Sequence, residues 1–208
     1  MKKFNIKSLA SVAVVTAVGL TIPAVASASS STTSTTTAGT ATSATTSATA
    51  AWKAFHASWK SYVEGLQSIR LTYRASIESD RAAYFTAKST ATTPAERQAA
   101  LAALEAALAT SLNARVTAIT AAGDPPTPPA GYNGTAYVMG IQAANIAFRA
   151  TIVAAQTTLA AALAVSTTGA EAHTARLNYE AALGSALVVR SAALLALGAP
   201  PANPGQPS

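Results

Sequence analysis

Thr92-Thr93-Pro94-Ala95-Glu96 and Thr167-Thr168-Gly169-Ala170-Glu171 stand 75 residues apart in a chain of 208. Each reads as a capping box. The second Thr is the N-cap, and the Glu three residues later reaches back to satisfy a free N–H at the helix start. In the first copy Pro94 occupies N1, where its fixed φ suits a helix and its missing N–H costs nothing. Both segments therefore predict helix starts.

Working outward, residues 62–126 superpose on 137–201 without a gap, with 24 identities in 65 positions. Shared alanines mean little in a chain with 54 of them. The shared punctuation means more. Tyr62, Val63, Gly65 and Gln67 meet Tyr137, Val138, Gly140 and Gln142, and Arg74 meets Arg149. Glu105 and Arg115 meet Glu180 and Arg190, while Gly123 with Pro125-Pro126 meets Gly198 with Pro200-Pro201. A Gly stop followed by prolines ends a helix in each copy. The chain thus reads as an internal duplication.

Periodicity supplies the helices. Trp52, Phe55, Trp59, Tyr62, Leu66, Ile69 and Tyr73 alternate steps of three and four, the mark of an amphipathic helix, here running to about Lys88. Leu101, Leu104, Leu108, Leu112, Val116 and Ile119 mark a second helix. A third is predicted over residues 135–165, and a fourth carries Leu177, Tyr179, Leu183, Leu187, Leu194 and Leu197. The expected fold is all-α: an antiparallel four-helix bundle over residues 51–199, made of two tandem-duplicated helical hairpins. Residues 200–208 are expected to be a flexible tail.

The N-terminal segment reads as an address. Lys2, Lys3 and Lys7 precede an uncharged apolar run, Ser8–Ile22, followed by Pro23 and small residues fitting an A-x-A cleavage site. Residues 1–28 are expected to be a secretory signal peptide. In residues 27–50, 17 of 24 are Ser or Thr, too polar to bury a core, so 29–50 are expected to form a disordered low-complexity linker. The expected location is secreted or on the cell-envelope exterior.

Composition narrows the chemistry. There is no Cys, so there is no disulfide, thiolate metal site or Cys nucleophile. Two His and eight acidic residues leave little for a metal cluster, and no nucleophile motif or phosphate loop occurs. Three of the 14 basic residues lie in the address segment, and the others form no stripe, which argues against nucleic acid. No cofactor or enzymatic activity is expected. Four polar pairs recur in both halves: Gln67/Gln142, Arg74/Arg149, Glu105/Glu180 and Arg115/Arg190. A hairpin turning near residue 92 brings Arg74 toward Glu105 and Gln67 toward Arg115, so these residues are expected to clip each hairpin together. The four Arg also allow a pair of symmetric anion sites. Gly65 and Gly140 lie inside helices, where Gly costs about 1 kcal/mol relative to Ala, and suggest closely crossing backbones.

Charge is uneven: 14 charged groups in residues 51–126 against five in 127–208. The third helix has Arg149 alone. Polar interruptions argue against a stable membrane span after signal cleavage. A self-association surface on the third helix, around Ala147, Thr151, Ala154 and Thr158, is expected instead. The functional expectation is a secreted, non-catalytic helical protein acting by surface binding or self-assembly, with a possible cell-envelope surface as partner. The alternative is an extracytoplasmic carrier holding a small apolar ligand in the bundle core.

Overall fold

A computed structural model describes residues 38–202, with side chains from residue 49 onward. Four helices form, and no strand occurs among the described residues: α1 (Ala38–Thr90), α2 (Pro94–Ala121), α3 (Thr135–Val165) and α4 (Gly169–Ala196). The expected signal peptide, residues 29–37 of the expected linker and residues 203–208 of the expected tail lie outside the described residues.

Residues 38–50 correct the expectation of a disordered linker reaching to 50, because α1 begins at Ala38. The physical reason is cooperativity. Once a packed helix exists, extending it fixes one residue per new hydrogen bond, with no second nucleation cost. Ser and Thr oppose this by at most about 0.7 kcal/mol each, and the interspersed alanines favour it. The result is a 53-residue helix, about 80 Å long.

Both capping boxes form as read. Thr93 Oγ1 accepts from the Glu96 amide at 3.2 Å, and the Glu96 carboxylate accepts from the Thr93 amide at 2.8 Å. Thr168 and Glu171 repeat this at 3.2 and 3.1 Å. Gly123 and Gly198, just past the ends of α2 and α4, take φ of 66° and 71°, where a side chain would be strained. The first and last residues of α2 and α4 are each 75 positions apart, as are the last residues of α1 and α3.

The caps give a pH dependence. Amide and hydroxyl donors from Thr92 and Thr93 hold the Glu96 carboxyl well down from 4.5, at about 2, and the equivalent donors from Thr167 and Thr168 lower Glu171. A carboxyl with a lowered native pKa stabilises the fold above its unfolded value and loses that contribution on protonation. Unfolding midpoints in urea should therefore fall as pH drops from about 4.5 toward about 2. Glu96→Gln should flatten part of that slope, and an unchanged slope would refute the assignment. Thr93→Ala should cost about 1 kcal/mol at neutral pH.

Packing runs in chain order: α1 lies against α2, α2 against α3, and α3 against α4. The core cluster joins Ala109 and Leu112 of α2, Ala160 and Leu163 of α3, and Ala172 of α4, with Tyr73 of α1 against it. Half of the buried hydrophobic residues are alanines, so the core is thin. The expected backbone crossings are absent at both helix-interior glycines: an added Cβ at Gly140 would collide with the Leu197 side chain, not with a backbone, and nothing lies within 4 Å of the missing Cβ of Gly65.

Candidate functional site

The recurring polar residues separate in space. Gln67, Arg74 and Glu180 are exposed, and none of the described ion pairs or side-chain hydrogen bonds includes them. The expected Arg74–Glu105, Arg149–Glu180 and Gln67–Arg115 clips are not made. Tyr73 occupies the inward position of its turn, so Arg74, 100° further round the helix, is carried to solvent. Glu105 is buried, but its partner is Arg176 of α4. Arg149 of α3 pairs with Asp124 at 2.6 Å, donates to the Gly123 carbonyl at 2.6 Å, and reaches the Tyr62 hydroxyl. Both ion pairs therefore tie residues 62–126 to residues 137–201. They interlock the two segments, whereas the register argument had placed them inside each one.

Arg115 and Arg190 do stay within their own segments, but on rings. Arg115 lies 5.0 Å from the centre of Tyr73, and Arg190 lies 5.5 Å from Phe148. Both pairs are related by the 75-residue offset. Arg190 also donates to Asn145 Oδ1 at 2.7 Å. Gln142 is buried and donates to the Pro126 carbonyl at 2.8 Å, pinning the connection between α2 and α3. The four Arg expected to form two anion sites face different partners and gather no shared pocket of charge.

Two further features emerge. The first is an aromatic ladder on α1: Trp52–Phe55, Phe55–Trp59 and Trp59–Tyr62 have centroids 5.3, 6.2 and 6.1 Å apart. Trp52 also stacks on Tyr132 of the α2–α3 connection at 5.5 Å. At its end, burial pushes the Tyr62 phenol up, opposed by Arg149. The second is Gln156 on α3, which is fully buried and donates to the Tyr179 hydroxyl at 3.4 Å. Among the described residues, no three His, Asp or Glu converge as a metal site would require.

Sequence reasoning missed Arg176 and Asp124. Arg176 was visible in principle. Its counterpart at the 75-residue offset is Leu101, a member of the apolar stripe of α2, so a charge at that position signals a buried partner. Asp124, set between Gly123 and Pro125, carried no such signal.

The largest unspent feature is apolar surface. Leu177, Val188, Val189 and Leu195 of α4 are between 49% and 82% exposed, and Met139 and Val165 mark the two ends of α3. Ala147, Thr151, Ala154 and Thr158 are exposed on α3 as well. Both helices are long and apolar enough to cross a membrane, yet the most apolar window of α4 is only 6% buried within the fold. No family model matches this chain, and neither a curated protein nor a solved structure matches it.

Proposed function

We propose that this is a secreted, non-catalytic protein of the cell exterior that acts by surface binding or self-assembly. In this reading two tandem-duplicated hairpins form an antiparallel four-helix bundle. The observation that carries the functional part is the outward apolar surface of α3 and α4, which bears almost no charge. Charged groups normally keep helix faces solvated and proteins apart, and a contiguous apolar patch marks an interaction site. The duplication is supported by the matched helix bounds, paired capping boxes, paired Gly stops and paired Arg-over-ring contacts. Three-residue connections, 91–93 and 166–168, support antiparallel neighbours.

The carrier reading is weaker. It needs space beside Trp52 to Tyr73, and the rings there stack on one another and on Tyr132.

Native mass spectrometry of the protein recovered outside the cell tests the proposal. The expected product begins between Ser27 and Ser29, carries no small apolar ligand, and shows masses at multiples of one chain. An external product that retains Met1 overturns the export step, and a retained ligand favours the carrier.

A further inference from the structure

We propose that this chain joins a second copy of itself head to tail. The edge of α4 and the Gly198–Pro201 turn of one copy dock on α1 of the next, repeating between chains the contact that α2 makes with α3 within one. This deepens the self-assembly reading above and rests on it. Packing in chain order leaves α1 and α4 as edge helices with one main neighbour each, whereas α2 and α3 have two. The duplication makes α4 a second α2 and α1 a second α3.

The groups that hold the internal contact recur at the two edges. Gln142 donates to the Pro126 carbonyl at 2.8 Å, and Arg149 donates to the Gly123 carbonyl at 2.6 Å and to the Tyr62 hydroxyl. The counterparts of these donors on α1 are Gln67 and Arg74, both exposed and engaged in no described hydrogen bond or ion pair. The counterparts of the acceptors are Pro201 and Gly198 after α4 and Tyr137 at the start of α3. Gly198 takes φ of 71° where Gly123 takes 66°. Only 24 of 65 positions are identical between the segments, and all five of these residues are among them. Gln98 of α2 also donates across the internal contact, to the Thr167 carbonyl. Its place on α4 is held by His173, another N–H donor, and Thr92 stands for Thr167; both are exposed.

Packing and charge agree. Ala109 of α2 and Ala160 of α3 share the core cluster. Their counterparts are Gly184, with nothing within 4 Å of a missing Cβ, and Phe85, which is 51% exposed. One edge has lost a methyl group where the other has gained a ring, so a ring from the next copy meets bare backbone. In the register of Gln98 with Thr167 and of Gln142 with Pro126, the exposed Glu180 comes level with the exposed Lys88 of the next copy. Leu177, Val188 and Leu195 take no part. Their counterparts Ala102, Asn113 and Thr120 are left exposed by α3, although α2 is small or polar there where α4 is large and apolar.

The junction is weaker than its template. Ala199 stands for Asp124 and Leu101 for Arg176, so neither internal ion pair recurs. The contact runs along residues 67–90 of α1, about 36 Å, and a strip about 12 Å wide covers about 430 Å² per partner, or about 860 Å² in all. That is the size of a transient contact and less than a stable dimer buries. Each chain has one edge of each kind, so assembly is heterologous and continues beyond two copies.

Disulfide trapping in the intact chain, as its cell produces it, tests this, because the chain has no Cys of its own. Glu180→Cys and Lys88→Cys are made in separate chains, mixed at about 0.1 mM to populate a weak contact, and oxidised with copper phenanthroline. A mixed dimer should form, since residues level with one another across a helix pair bring their Cα atoms within the reach of a disulfide. Arg74→Ala added to the Lys88→Cys chain should slow trapping about tenfold by removing an ionised donor. Arg74 is exposed in the single chain, so that variant stays folded. Ala154→Cys in place of Lys88→Cys should give little mixed product. An unchanged rate with Arg74→Ala, or Glu180→Cys chains that pair with one another as fast, overturns the head-to-tail contact. A chain carrying both Cys substitutions that closes on itself also overturns it and assigns the contact to a single copy. If no mixed dimer forms while wild type gains mass with concentration in sedimentation equilibrium, the junction is overturned and self-assembly stands. A wild type that stays monomeric up to about 1 mM overturns both.

Discussion

Replacing Arg176 with Ala should destabilise the protein by on the order of 3 kcal/mol, which lowers the thermal midpoint by about 6–12 °C for a chain of this size. Glu105 is 4% exposed, and Arg176 is its only described ion-pair partner. Removing the guanidinium leaves a buried carboxylate without its ion-pair partner to offset its lost hydration. The Arg176 side chain keeps 22% of its surface in water, which places the effect at the low end for a buried pair. The double replacement Glu105→Leu with Arg176→Leu should behave differently. It removes both desolvation costs at once and restores at 176 the residue found at 101, so its midpoint should equal or exceed that of wild type. Thermal unfolding of the two variants decides the matter. If Arg176→Ala is neutral, Glu105 is solvated in solution and the link between α2 and α4 is not structural. If the double variant is as unstable as the single one, the pair specifies how the two segments dock, and its energetic balance is the opposite of that argued here.

The same pair shows what the sequence made legible. Helix number, the bounds of α3, both capping boxes and both Gly stops follow from local chemistry, where a few residues decide the backbone within one turn. Tertiary polar contacts do not. Glu105 and Arg176 are 71 residues apart, and choosing between Arg74 and Arg176 as partner requires knowing which face of α2 looks toward α4. Register within a hairpin constrains sequence neighbours only, so it assigned every recurring charge to its own hairpin. The start of α1 failed for another reason. Composition reports whether a segment nucleates a helix by itself, whereas residues 38–50 extend one already formed. The difference between Ala102, Asn113 and Thr120 on one side and Leu177, Val188 and Leu195 on the other was present in the sequence. Its meaning depends on all six being exposed, and only the structure supplies that.

Leu112→Ala and Leu187→Ala should have unequal effects despite their equivalence at the 75-residue offset. Leu112 is 3% exposed and sits in the central cluster with Ala109, Ala160, Leu163 and Ala172. Truncating it removes three carbons from a cluster in which three of the four other buried members are alanines on helices. Alanines have no rotamers with which to refill a cavity, so relaxation is limited and the cost should lie near the upper part of the usual range, about 3–5 kcal/mol. Leu187 is half-buried, and water already meets part of its side chain. Its truncation removes less buried area and opens no closed cavity, so about 1 kcal/mol is expected. Urea denaturation of each variant, with the slope against denaturant held equal to wild type, measures both. Equal losses would mean that the two segments bury their equivalent positions alike in solution. That result would imply that the outer side of α4 is covered in the stable form, and covering by a second copy is the case that concentration dependence distinguishes. If the Leu187→Ala loss grows as protein concentration rises, the interface reaches that position; if it stays near 1 kcal/mol at every concentration, the asymmetry belongs to the single chain.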